Sequence, residues 1–316
     1  MSPPSNEVCI LLSTYNGGLF LREQIHSLKN QTFTNFDIIA RDDGSLDNSV
    51  EILIQEGIKV LPDNNNLGPQ SSFIKLIQAA LEVDHYKYFL FCDQDDIWYN
   101  TKIETLLNAV KSSCNDKTKP ILAFSDLVVV NEHNEEIAPS FFALQQLNPY
   151  RIKLNQLLTQ NVVTGCSTLF NKELATLVSK LNKDVLMHDW ACAILASIFG
   201  ELIFVDQGLV RYRQHKNNTI GVKKITTTEY SALFKKMLSG KLQPLNSNIK
   251  QANSIYNVHQ SRLTSADLKI FQSFISLKNQ SAFKKIYWVF KFDFLKHGFI
   301  RNAAMILGIL FEKPNS

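Results

Sequence analysis

No uninterrupted apolar run in this 316-residue chain is long enough to span a bilayer. The N-terminus, Met1-Ser-Pro-Pro-Ser-Asn-Glu7, lacks the basic start and apolar stretch of a secretory leader. Cysteine is scarce: Cys9, Cys92, Cys114, Cys166 and Cys192 are odd in number, scattered, and without the spacing of a zinc site. Three of them lie inside apolar runs, which suits reduced, buried thiols in the cytosol better than disulfides. Internal repeats and low-complexity segments are also missing. Acidic residues are scarce at one end only. Residues 1–222 hold 18 Lys/Arg against 25 Asp/Glu, net −7, whereas residues 223–316 hold 15 against 4, net +11, together the chain's +4. A basic tail on an acidic body implies an anionic partner, membrane or nucleic acid. The tail carries no nucleic-acid motif and its aromatics are not arrayed for stacking, so no nucleic-acid partner is expected.

What is present is an alternation of strand and helix signals. Val8–Ser13 reads as a buried strand, followed by a Gly-Gly turn and a helix over about Leu19–Asn30. Phe36–Ala40 is a second strand, after which Ser45 can cap a helix running to about Glu56. A short strand at Lys59–Leu61 and the Asn-rich loop 63–66 lead to a helix at about Pro69–Val83. Tyr88–Cys92 and Ile121–Val130 are further strands, with a helix over Asn100–Ser112 between them. Continuous apolar strands separated by helices predict an α/β fold with a mostly parallel sheet covered on both faces. Ligands of such sheets bind beyond the carboxyl ends of the strands. Those ends carry Ser13-Thr14-Tyr15-Asn16, then Arg41-Asp42-Asp43-Gly44-Ser45, then Asp93-Gln94-Asp95-Asp96.

The third cluster stands out. An aromatic-apolar run, Tyr86-Lys-Tyr-Phe-Leu-Phe-Cys92, stops abruptly at three carboxylates. Like charges that close together call for a cation, and oxygen ligands favour Mg²⁺ or Mn²⁺, ions that usually bring phosphates. A solvated turn capping the next helix is the plainer alternative. After residue 222 glycine becomes rare and Lys interleaves with aromatics, most densely over Ser281–His297, with Phe299–Phe311 more apolar still. This predicts a catalytic domain over 1–222 and a helical, basic extension over 223–316. Residues 281–311 are expected to meet an anionic membrane surface, with packing on the catalytic domain as the alternative.

With the three clusters in order, the chain resembles the family 2 glycosyltransferases of the GT-A (Rossmann-like) fold, especially bacterial rhamnosyltransferase-like enzymes of surface polysaccharide synthesis. The matching residues are Ile10–Gly17, Arg22–Gln24, Asn30–Thr32, Arg41–Asp47, Asn66–Gly68, Phe91–Trp98, Thr164–Cys166, His188–Trp190 and Arg211–His215. They span roughly residues 7–220, and the tail falls outside. The resemblance implies a mixed, mostly parallel sheet flanked by helices. It also implies inverting transfer from a dTDP or UDP sugar to a glycan or polyprenyl-linked saccharide, at the inner face of the cytoplasmic membrane.

On this reading Thr14, Tyr15 and Asn16 flank the base or ribose, and Asp42 and Asp43 follow, Asp43 accepting from a pyrimidine imide. Asn66 and Gly68 approach the same pocket, and Asp93 and Asp95 hold ribose and diphosphate. Asp95, Asp96 and His215 hold a divalent metal, Mg²⁺ or Mn²⁺, and Arg211 and Arg213 close over the diphosphate. Asp189 is the expected base, with Gly165 leaving room for the acceptor and Trp190 walling one sugar face. The plain reading of Asp189 is a helix cap. Inverting transfer needs no covalent intermediate, so Cys166 is not expected to act as a nucleophile. A nucleotidyltransferase would show a basic, Gly-rich phosphate loop, and Ser13–Gly18 has no Lys or Arg. A non-catalytic nucleotide-sugar or membrane-binding protein is the other class kept open.

Overall fold

In the computed structural model the described residues are 6–63, 65–113, 116, 118–181, 184–216, 218 and 245–311. The chain runs β1 (Val8–Thr14), α1 (Leu21–Lys29), β2 (Phe36–Asp42), α2 (Ser49–Gln55), β3 (Lys59–Val60), α3 (Pro69–Leu81), β4 (Tyr88–Asp93) and β5 (Ile97–Trp98). It continues through α4 (Lys102–Ser113), β6 (Ile121–Val130), β7 (Glu136–Ala138), α5 (Phe141–Gln145), α6 (Leu154–Leu157), β8 (Thr168–Asn171), α7 (Lys172–Val178), α8 (His188–Phe199) and β9 (Glu201–Arg213). Four helices follow: α9 (Asn246–His259), α10 (Ser265–Ser276), α11 (Ala282–Lys291) and α12 (Phe299–Phe311).

The strands form one sheet in the order β3-β2-β1-β4-β8-β6-β9-β5, with β7 beside β6. Strands β1 to β4 are mutually parallel where they pair, and β6 pairs β9 in parallel. β8 runs antiparallel between β4 and β6, and β5 antiparallel to β9, so the sheet is mixed. β1 is central because neither face of it can be wetted: Val8, Ile10 and Leu12 point to one side, Cys9 and Leu11 to the other, all buried. The first set packs with α1, α2 and α4, the second with α3, α7 and α8. Register then aligns the polar ends, since Thr14 pairs with Asp42 and Ser13 with Asp93.

The helix after β2 differs slightly from expectation. Ser45 does not cap it; Asp47 Oδ1 accepts from the backbone and hydroxyl of Ser49, while Ser45 Oγ donates to Asp42. A carboxylate two residues before the helix reaches its first free N–H more easily than a hydroxyl four residues away. The boundary set at residue 222 lies outside the described residues, as does Cys114; the four described cysteines are buried and free. The C-terminal helices do not stand apart from the sheet. Ile249, Phe271, Phe274, Val289, Phe294 and Met305 belong to the same buried cluster as Leu11, Phe89 and Phe91. Asn248 Nδ2 donates to the carbonyls of Leu158 and Thr159, both at 3.0 Å, and Asn155 Nδ2 to that of Phe292 at 2.9 Å.

The junction of α8 and β9 is a backbone-on-backbone approach. A Cβ on Gly200 would lie 1.7 Å from the Pro120 carbonyl oxygen, which itself accepts from Glu201 N–H. Gly200→Ala is therefore expected to destabilise the chain by roughly 2–3 kcal/mol, because backbone cannot step aside as a side chain would; urea unfolding of the two proteins measures it.

Candidate active site

The carboxyl ends of β1 and β2 are built from side chains that replace missing backbone partners. Asp42 accepts from the N–H groups of Gly44 and Ser45. Asn16, in the left-handed region at φ 48°, accepts from Leu46 N–H, and its own N–H donates to Ser45 Oγ. Asp43 accepts from Leu67 N–H and Gly68 N–H, both at 2.8 Å, and from Arg41 Nη1 at 2.5 Å. Arg41 is fully buried and also donates to the Asn65 carbonyl. The structure thus brings Thr14, Tyr15, Asp43 and Gly68 to one rim, with Asn66 exposed beside them and the Tyr15 ring open to solvent. The Asp43 carboxylate already holds the 65–68 loop.

Gln94 ties this rim to the acidic loop. Its Oε1 accepts from Thr14 Oγ1 and from Tyr15 N–H, each at 2.7 Å, and its Nε2 donates to the Tyr15 carbonyl. The three carboxylates around it have different fates. Asp95 is partly buried, and its Oδ2 lies 2.7 Å from His215 Nε2. Asp96 is turned inward: Oδ1 accepts from Arg213 N–H, and Oδ2 is buried with no hydrogen-bond partner. Burial, then the charges of Asp95 and Asp93, raise the Asp96 carboxyl well above its usual range. Asp93 is pushed up to about 7 by burial, then by Asp95 and Asp189. Ligand atoms of Asp93, Asp96 and Cys166 lie within 4.8 Å of one another.

The first residue of α4 supplies a cation to this group. Lys102 is fully buried, its ammonium 3.0 Å from the centre of the Trp98 ring and donating to the Cys166 carbonyl. Burial lowers it to about 7, while Cys166, Cys92, Asp96 and Asp93 oppose the drop. Sequence analysis missed Lys102, although it stands four and eight residues before Leu106 and Val110 on the apolar face of α4. A charged residue on a buried stripe was the available signal.

Asp189 faces the same cluster from the N-terminus of α8. Its Oδ2 accepts from Gly165 N–H at 2.9 Å and its Oδ1 from Trp190 N–H at 2.5 Å, and burial raises its pKa to about 6. α8 begins at His188, with Met187 as the residue before it, so Asp189 lies within the first turn. Gly165 is small for a different reason from the one expected. A Cβ there would lie 2.9 Å from His188 Nε2, so the missing side chain makes room for the His188 ring. That imidazole sits against Phe73 and Phe91, has no partner at either nitrogen, and is lowered by burial to about 3. Trp190 is half-buried against the core, with Nε1 donating to the Leu157 carbonyl at 2.6 Å.

The arginines are not free donors awaiting a diphosphate. Arg211 donates from Nε to Asn134 Oδ1 and from Nη2 to the Asn134 carbonyl, both at 2.6 Å. Arg213, 2 % exposed, donates to the carbonyls of Asp95 and Glu132 and to Glu23, and lies over the Phe20 ring. Antiparallel pairing explains this: β5 pairs Ile97 with Arg211 and Trp98 with Val210, which wedges β9 against the acidic loop. In this structure their side chains hold the loops, while the His215 ring meets the Asp95 carboxylate.

Asp43→Ala would leave buried Arg41 with only the more distant, exposed Asp63 carboxylate at 3.6 Å and free two N–H groups. The expected cost is about 3–5 kcal/mol, read by chemical denaturation.

Residues 9–176 match the family model described as glycosyl transferase family 2. The chain is 27 % identical over 236 residues to dTDP-rhamnosyl transferase RfbG of Shigella flexneri, covering 70 % of this chain and 78 % of that protein. It is 24 % identical over 238 residues to glycosyltransferase GlyG of Streptococcus pneumoniae, covering 68 % and 73 %. Among solved structures, S. aureus TarS 1-349 in complex with UDP-GlcNAc aligns with a TM-score of 0.55 at 16 % identity, covering 96 % of this chain and 89 % of that one. The mixed sheet with its acidic loop at the carboxyl rim is the GT-A arrangement, and this chain belongs to glycosyl transferase family 2.

Proposed function

We propose that the protein transfers a hexosyl unit from dTDP-rhamnose or a UDP-hexose to a hydroxyl of a glycan or polyprenyl-linked saccharide, with inversion, in bacterial surface polysaccharide synthesis. The observation that carries this is Asp189: a carboxylate oriented by Gly165 N–H, raised to about 6, and set against the acidic loop 93–96. An aspartate tuned toward neutrality can take a proton that an ordinary one takes poorly. The acceptor oxygen attacks the anomeric carbon as its proton passes to Asp189. The bond from that carbon to the diphosphate oxygen breaks, and its electron pair leaves with the nucleoside diphosphate. Thr14, Tyr15, Asn16, Asp42, Asp43, Asn66 and Gly68 bind the nucleoside in this scheme, with Asp93 and Asp95 toward ribose and diphosphate. The names of two similar proteins, one acting with dTDP-rhamnose and one holding UDP-GlcNAc, agree with a pyrimidine nucleotide.

The residues present fit a divalent cation. Asp95 Oδ2 and His215 Nε2 are close enough to become adjacent ligands, and a mixed oxygen and nitrogen pair suits Mn²⁺ better than the oxygen-preferring Mg²⁺. Such an ion would offset charge on the leaving diphosphate. Asp96 contributes from beneath, because its carboxylate faces Arg213 N–H and Cys166 rather than the cleft.

A panel of UDP, dTDP and GDP sugars with Mn²⁺ tests the reaction by release of nucleoside diphosphate. One donor is expected to turn over, with EDTA, Asp95→Ala and Asp189→Ala each removing at least about 99 % of the rate. Asp189 must be unprotonated to accept, so kcat/KM should fall as pH drops through about 6. Nucleotide binding with no release from any donor-acceptor pair would sink the assignment.

The C-terminal helices give the second half of the proposal, an anionic membrane surface at the cytoplasmic face. Among the described residues no helix is long and apolar enough to cross a membrane. Yet eight of the sixteen large apolar side chains exposed there lie on α11 and α12. Phe283, Tyr287 and Phe290 form one stripe on α11, flanked by exposed Lys284 and Lys291, while Phe299 and Ile300 open α12. Apolar wedges beside lysines suit a lipid headgroup layer. Co-sedimentation with phosphatidylglycerol vesicles is expected, with binding down about tenfold in Phe283→Ser/Phe290→Ser; equal binding to neutral vesicles or none at all would refute it.

A further inference from the structure

The acidic loop and the turn that orients Asp189 come from distant parts of the sequence, and one buried side chain touches both. Lys102 begins α4, after the loop and β5, and its ammonium donates to the carbonyl of Cys166. Cys166 is the centre of the Gly165–Ser167 turn, whose first N–H donates to Asp189 Oδ2 at 2.9 Å. The turn is otherwise thinly held, by Ser167 N–H and Ser167 Oγ on the Thr164 carbonyl and by Thr168 Oγ1 on that of Gly165. Trp98, beneath the ammonium, is held at its backbone, whose N–H donates to Ser27 Oγ at 3.0 Å. The aromatic face, the carbonyl and the field of Asp93 and Asp96 together accommodate a charge that burial alone would expel.

We propose that Lys102 is a positioning residue that locks the 164–168 turn to the acidic loop, so that the base and the donor end of the cleft move as one unit. The inference rests on the assignment of Asp189 as base, but the geometry it invokes exists without substrate. The Lys102 ammonium occupies the inner side of the cluster, which leaves the Asp95–His215 pair as the outer position for a metal. A residue that acts through an orienting shell should affect the rate more than ground-state binding.

The test compares the full-length chain with Lys102→Met, which keeps the length of the side chain and removes charge and donor, and with Lys102→Arg, which keeps both. Hydrogen–deuterium exchange by mass spectrometry is followed on peptides spanning residues 162–170, with peptides from β1 and β2 as controls. In Lys102→Met the amides of the 164–168 turn are expected to exchange at least about tenfold faster with the controls unchanged, and Lys102→Arg should recover most of the protection. With the donor that wild type accepts, Lys102→Met should lose about ten- to a hundredfold in kcat while the donor KM stays within about threefold. Unchanged exchange in the turn, acceleration spread evenly over the sheet, or no recovery with arginine would overturn the proposal. Exchange needs no turnover, so a wild-type chain without transferase activity would remove the proposed function and still leave the clamp decided.

Discussion

Asp93 and Asp96 are drawn below the surface at the end of a central strand, and a pair of carboxylates cannot be buried together without a compensating charge or proton. Lys102 answers that constraint from the next helix, and the consequences spread outward. Its ammonium lies over the Trp98 ring and takes up a carbonyl that the turn at Gly165–Ser167 presents inward. β5, too short to stand alone, is held by β9, and β9 delivers Arg213 N–H to Asp96. Several weak elements are therefore organised by one patch of charge that none of them could carry separately.

The rim of the cleft follows a related economy. Loops that leave a parallel sheet have no ladder to satisfy their N–H groups, so short acidic and amide side chains do it. Asp42, Asp43, Asp47, Asn16 and Gln94 each accept from backbone. Residues whose type suits ligand binding are thus also the scaffold of the site, which keeps the site ordered before any ligand arrives. The two readings of such residues, turn former and ligand contact, are not exclusive, because a carboxylate has more acceptor positions than one loop consumes.

The C-terminal helices are core on one side and leave large apolar side chains exposed on the other. Val289, Phe294 and Met305 enter the core shared with the sheet, while Phe283, Phe290 and Phe299 remain outside it. A helix with apolar residues around most of its circumference has more such surface than one packing partner can cover. Packing on the sheet and the membrane contact proposed above use different faces of the same helices.

The parallel half of the sheet was legible because its strands are uninterrupted apolar runs and its helices repeat at the helical period, both local signals. The acidic loop was legible too, since nothing but a site or a cap explains three carboxylates after Cys92. The antiparallel half was not: β5, β7 and β8 have two to four residues, and they are strands only because a distant partner pairs with them. The same holds for the roles of the basic residues. The sequence placed Arg211, Arg213 and His215 near the cleft, but which one would face it depended on the register of β9 against β5 and β6. Lys102 is the sharpest case, ordinary as a letter and decisive once buried, because desolvation and the charges around a side chain are properties of the folded neighbourhood and not of the residue.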